Sequence, residues 1–257
     1  MRKSFTWLLG LLVLLTSFGT HAVAQEVQST VELYAEDASY CYGEANEYTV
    51  KVAVKDFIKI TSFELNLVYN DAIFQYDGLV VLDGLLTNVS DASSTPGVIT
   101  LEWDEPQTTI GDNVKTDLLE LNFSVVGFPG IVAPTLSSNL SWGTTEFRYE
   151  IPGTPPTDDV NTDNSYDGKL TVNSITDAIE TTIAAESCAG GDVTLTVTAP
   201  DADMYLFNED PVVANWVWSS SPDYQAAAGD VVTVRVKDAD GCISPAHGVR
   251  VCEDLAG

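Results

Sequence analysis

Histidine is as scarce as any residue in this chain, and basic side chains are few beside the acidic ones. Its 257 residues hold two His, two Met and four Cys, and 11 Lys and Arg stand against 38 Asp and Glu, for a formal charge of −27. The shortage of histidine removes the commonest general base and metal ligand. His21 falls in the leader, which leaves His247, close to Pro245 in a loop. No GxSxG, HExxH, CxxC or phosphate-loop pattern occurs, so serine hydrolases, zinc proteases, thioredoxin-like redox enzymes and nucleotide-binding folds have no foothold. The expectation is a protein that is not an enzyme. The excess of acid repels phosphate backbones and anionic lipid, which excludes nucleic acid and membrane surfaces as partners. After the first 24 residues no apolar run is long enough to insert into a membrane, and no segment carries a helical period.

The leader itself is informative. Arg2 and Lys3 precede an apolar run from Trp7 to Phe18, and Ala22-Val23-Ala24 supplies the small-x-small pattern of a signal-peptidase site. Residues 1–24 therefore read as a signal peptide, with the mature chain starting at Gln25 and exported to the extracellular space or cell surface. No cysteine follows the site, so a lipoprotein anchor is not expected. Cleavage takes away two positive charges and no negative one, and the mature balance becomes more acidic still.

The remaining residues are dominated by period-2 alternation. Tyr48, Val50, Val52 and Val54 alternate with Thr49, Lys51, Ala53 and Lys55. After a short connector, Phe63, Leu65, Leu67 and Tyr69 alternate with Glu64, Asn66 and Val68. Such alternation puts the apolar set on one face of a strand and the polar set on the other. The same pattern returns at Ile99, Leu101 and Trp103 and at Leu119, Leu121, Phe123 and Val125. Further strands are predicted at Thr30 to Glu36, Ile73 to Leu82 and Lys169 to Asn173, with shorter ones near Leu85 to Val89 and Leu140 to Tyr149. Turn residues such as Asn70-Asp71, Asp83-Gly84 and Gly111-Asp112-Asn113 separate them. Residues 25–174 thus read as an all-β, antiparallel jelly-roll sandwich.

Residues 175–179 read as a linker, and residues 180–257 as a small Ig-like β-sandwich. In the latter, Val193, Leu195 and Val197 form one strand and Val232, Val234 and Val236 another. Trp216 and Trp218 are assigned to a shared face in its core. Topology within this sandwich places Cys188 and Cys252 at one end and Cys242 at the other, so a Cys188–Cys252 disulfide is expected, with Cys41 left free or intermolecular.

Three constellations carry possible chemistry. Asp159, Asn161, Asp163 and Asp167 lie in the acidic loop TDDVNTDNSYDG at nearly alternate positions, the spacing with which oxygen ligands meet calcium. The glycine and glutamate of a full EF-hand loop are missing, and a solvated acidic loop is the competing reading. Glu102 and Asp104 share a strand face about 7 Å apart, a separation that suits glycoside hydrolysis only inside a cleft, whereas both fall on the wet face opposite Trp103. Among the aromatics, Trp142 in LSWGTTEF is the one predicted to be exposed and able to stack on a sugar ring.

Residues 30–173 resemble a cohesin domain. The resemblance is carried by the opening VELYAED strand, YTVKVAVKDFIKITSFELNLVYNDAIFQY, GVITLEWDE, DNVKTDLLELNFSVVG and the closing DGKLTV. It implies a nine-stranded jelly roll of the carbohydrate-binding-module-like superfamily that binds a dockerin-like protein module or, in relatives, polysaccharide. It also implies a docking sheet that includes SFELNLVY and VITLEWD, with Glu64, Asn66, Thr100, Glu102 and Asp104 as contacts. The second domain, through SCAGGDVTLTV, NWVWSS and AAAGDVVTVRVKDADGC, resembles the Ig-like or SprB-like repeats of secreted Bacteroidetes proteins. The expectation is a secreted scaffolding or adhesion module that binds a protein. Direct polysaccharide binding and a calcium-dependent structural spacer remain as alternatives.

Overall fold

The computed structural model describes residues 30–130, 133–149, 160–161, 164–175, 180–183, 192–208 and 210–252. The expected signal peptide lies outside this set, as does most of the expected linker. Among the described residues the regular structure is strand, with one 3-10 turn at Val213–Asn215 and no α-helix. The all-β architecture read from the alternation is the one that forms.

The larger sandwich contains β1 (Glu32–Ala35), β2 (Ala38–Cys41), β3 (Tyr48–Lys55), β4 (Phe57–Val68), β5 (Phe74–Val81), β6 (Ser90–Thr95), β7 (Val98–Ile110), β8 (Thr116–Val125), β9 (Thr135–Tyr149), β10 (Val160–Asn161), β11 (Asn164–Tyr166) and β12 (Gly168–Asn173). One sheet has the order β11-β1-β3-β8-β5; the other runs β2-β12-β9-β4-β7-β6, with β10 on β9. The alternating apolar residues close the space between the sheets. Val50, Val52, Leu65, Leu67, Leu101 and Leu121 are fully buried, and Phe57, Phe63, Trp103 and Phe147 pack ring against ring. Each such side chain contributes on the order of 1.5–3 kcal/mol by leaving water. A register shift between Val52 and Ala53 leaves Leu118 of β8 as the extra residue and sets Leu118 and Leu119 both into the core.

Two chain segments pass from one sheet to the other, so single strands become pairs of short ones. The first segment pairs as β1 with β3 and then as β2 with β12; the last pairs as β11 with β1 and then as β12 with β2, in parallel both times. They touch where they cross. A Cβ on Gly168 would stand 2.5 Å from the Ala35 carbonyl oxygen and 2.8 Å from that of Glu36, so only glycine fits there.

Three local expectations are corrected. Leu85 to Val89 is not a strand, because the Asp83 carboxylate accepts from the Leu85 backbone N–H at 2.7 Å and closes a turn. The connector before Phe63 belongs to β4, which starts at Phe57, just after Asp56 at positive φ, and accommodates Lys59 at positive φ through a register shift against β7 between Phe57 and Ile60. The third correction concerns the tryptophans.

The smaller sandwich holds β13 (Glu180–Ile183), β14 (Asp192–Thr198), β15 (Met204–Phe207), β16 (Asp223–Ala227), β17 (Val231–Lys237) and β18 (His247–Arg250), in sheets β13-β14-β16 and β15-β17-β18. Val193, Leu195, Val197, Val232, Val234 and Val236 fill its core. Trp216 and Trp218 are not in it. They follow the 3-10 turn in irregular chain, and Trp216 joins Leu206 and Ile243 in the buried cluster of the larger sandwich, against Phe128 with ring centroids 6.2 Å apart.

This seam is polar and covalent as well as apolar. The Ile243 N–H donates to the Tyr42 carbonyl at 2.7 Å, and Lys237 pairs with Glu44 at 2.7 Å. The fully buried Arg235 donates to the Ser244 carbonyl at 3.0 Å and to the Pro129 carbonyl across the seam, with its guanidinium 5.6 Å from the Trp216 ring centroid. Cys41 is disulfide-bonded to Cys242, with Cα atoms 5.1 Å apart. Cys41 is therefore neither free nor intermolecular. The pairing could not be read from the smaller sandwich alone, because it depends on the end of β2 docking against the β17–β18 connection. Cys252 is also disulfide-bonded; its expected partner Cys188 lies outside the described residues.

Candidate partner-binding face

β4 is the middle strand of the outward face formed with β9 and β7, and the registers set its surface chemistry. Glu64 stands opposite Glu102 on β7 and Glu146 on β9. One row along, Ser62 stands between Asp104 and Arg148; on the other side Asn66 faces Thr100, whose hydroxyl donates to the Asn66 side-chain oxygen at 2.7 Å. Phe63, Leu65, Leu67, Leu101 and Trp103 point the other way, into the core. The five residues predicted as contacts thus share one face, with Glu64, Glu102 and Asp104 exposed and Asn66 and Thr100 half-buried.

Three glutamates in line across neighbouring strands repel one another, a cost that sheet packing alone gives no reason to bear. Water screens the repulsion. The face carries a shallow, open depression of about 370 Å³ lined by Ser62, Glu64, Ser90, Glu102, Glu146 and Arg148, among others. Glu102 and Asp104 stand on this open surface, not in the enclosed cleft that a pair of hydrolytic carboxylates needs.

Sequence reasoning missed Glu146, Arg148 and Ser62. The alternation of Thr145, Phe147 and Tyr149 with Glu146 and Arg148 announces a strand, but nothing local announces that it lies beside β4.

The other predicted site residues are placed differently. Trp142 is half-buried against the core; its indole N–H donates to the Tyr166 carbonyl at 3.1 Å, and its backbone N–H donates to the Asp167 carboxylate at 2.9 Å. Asp167 is thereby engaged in holding β9 to the β11–β12 corner. Asp159 and Asp163 lie outside the described residues, and Asn161 is described only as backbone in β10, opposite Glu146. Among the described residues no three His, Cys, Asp or Glu side chains group as metal ligands.

The outward face of the opposite sheet has a different character. Lys51 pairs with Asp117 at 2.6 Å, Lys55 with Glu32 at 3.0 Å and Lys115 with Glu36 at 2.6 Å. The Lys115 ammonium stands 4.4 Å from the Tyr34 ring centroid, and Tyr34 stacks on Tyr166 at 4.5 Å. The Tyr34 hydroxyl donates to Glu32. This bond and, after it, the one from Lys55 hold the Glu32 carboxyl below its usual value. The same bond pushes the Tyr34 hydroxyl up to about 12. Here each lysine has an acid beside it, whereas Glu64, Glu102 and Glu146 face one another.

No protein-family model and no curated protein matches the chain. Several solved structures are similar to it. One is the complex of CaDoc0917 with CaCohA2, the latter from Clostridium acetobutylicum: 20% identity over 56% of this chain and 100% of that one, with a TM-score of 0.44. Another is a type I cohesin–dockerin complex from Clostridium thermocellum, 12% identical over 58% of this chain and 99% of that one, with a TM-score of 0.43. A third is the seventh ScaB type I cohesin from Pseudobacteroides cellulosolvens, 12% identical over 57% of this chain and 94% of that one, with a TM-score of 0.46. Each of these three structures contains a cohesin module.

Proposed function

We propose that the chain is an exported, non-catalytic binding module that docks a protein partner of the dockerin kind on the β9-β4-β7 face. In this reading the partner presents Lys or Arg to the carboxylates, and the smaller sandwich is an Ig-like repeat of a secreted or surface protein. One observation carries the reading: Glu64, Glu102 and Glu146 stand in register on an open sheet face, where their mutual repulsion is relieved by an incoming cationic surface. Engagement of the Trp142 indole within the fold argues against a sugar-stacking platform at that residue.

The test is titration calorimetry of the full chain with a panel of purified dockerin modules, repeated with the Glu64→Lys/Glu102→Lys variant and with soluble polysaccharides. The reading expects a dockerin that binds the native chain, with affinity reduced at least tenfold in the variant and further weakened by salt. Equal affinity in native and variant chains, or binding to polysaccharide alone, would refute it.

A further inference from the structure

We infer that the Cys41–Cys242 bond is a tension bypass: force pulling on the two ends of the chain crosses from one sandwich to the other through β1, β2 and β18 and spares the strands from β3 to β17. Covalent connectivity sets the path of the load. The bond joins the last residue of β2 to the connection between β17 and β18, at a sequence separation of 201. Load follows the shortest covalent path, which runs along β1 and β2, across the two sulfurs, and out through β18. Strands β3 to β17 lie inside the closed loop, including the whole β9-β4-β7 face. Without the bond, the same force would act in series on every one of those strands and on the connection between the sandwiches.

The surroundings of the bond fit that role. The Ile243 N–H to Tyr42 carbonyl bond and the Lys237–Glu44 pair flank it on either side of the seam. Trp216 and Phe128 pack beside them, so the joint is braced against rotation as well as extension. The inference does not depend on what docks on the sheet face, since the measurement below reads length and not binding.

The full chain is tethered by handles at its two ends and stretched in a single-molecule force spectrometer, with and without dithiothreitol. A fully extended residue spans at most about 3.6 Å, so with the bond intact the chain can release only on the order of 100 Å from outside the loop. Adding reductant under load should release roughly 500–700 Å more, the length held within the loop, with the lower figure applying if the Cys252 disulfide survives. The Cys41→Ser/Cys242→Ser variant should show the long extension without reductant. Because that variant can lose its fold, the native chain with and without reductant is the deciding comparison. Long extension of the unreduced native chain, or no gain in length on reduction, would overturn the inference.

Discussion

If the seam between the sandwiches is a true core, truncating a side chain on one side should weaken the other. Trp216 is 8% exposed; it packs on Phe128 at 6.2 Å and Trp218 at 6.0 Å, and its indole N–H donates to the Asp210 carbonyl at 2.7 Å. Trp216→Ala removes that bond and leaves a cavity beside Arg235, so it should cost about 3–5 kcal/mol. Phe128 is only half-buried, and Phe128→Ala should cost about 2 kcal/mol. The two rings share a contact, so the double variant should lose about 0.5–1.5 kcal/mol less than the two single losses added together. For a chain of this size 1 kcal/mol corresponds to about 2–4 °C, so Trp216→Ala should lower Tm by roughly 6–20 °C. The assay is differential scanning calorimetry with far-UV circular dichroism in urea, which does not depend on the lost fluorophore. One transition that moves as a unit is expected. Two transitions, with Trp216→Ala shifting only one of them, or a loss below about 1 kcal/mol, would refute the shared core.

Gly168→Ala should destabilise by more than about 2 kcal/mol, because its methyl group would overlap the backbone of Ala35 and Glu36; a urea midpoint unchanged from that of the native chain would show that the crossing is loose. The Glu32–Tyr34–Lys55 cluster makes a pH prediction with opposite signs at its two ends. Glu32 has a lowered pKa, so its contribution is full above its ordinary value of 4.5 and is lost as acid carries the pH down through the folded value. Tyr34 has a raised pKa, so its contribution is full below 10 and is lost as the pH rises through about 12. Ultraviolet titration at 295 nm of the native chain and Glu32→Gln should show one tyrosine moving to lower pH in the variant; coincident curves would contradict the assignment.

The parts legible in the sequence were those with a period. The alternation from Tyr48 to Tyr69 announces β3, most of β4 and the side from which Glu64 and Asn66 emerge, because a period of two leaves no choice of face. Partners across the sheet are a different matter. That Glu64 would lie between Glu102 and Glu146 depends on pairings between residues far apart in the chain, and no local pattern encodes them. The seam was illegible for a related reason. Tyr42, Phe128 and Trp216 sit in irregular segments, where spacing carries no information about facing. Tertiary packing takes Trp216 away from the core nearest to it in sequence and into that of the larger sandwich.

The parallel pairing of β12 with β2 also sets when this molecule can fold. Leu170 lies beside Ala38, and Asn173 beside Cys41, so β2, near the start of the larger sandwich, waits for its last strand. Contacts this distant in sequence make folding slow, because the chain must close a long loop before it gains from the pairing. A chain emerging end first therefore holds an unfinished sheet until residue 173 is free. The cysteine that closes the seam comes later still. The order of synthesis thus keeps the whole body open until nearly all of it is available.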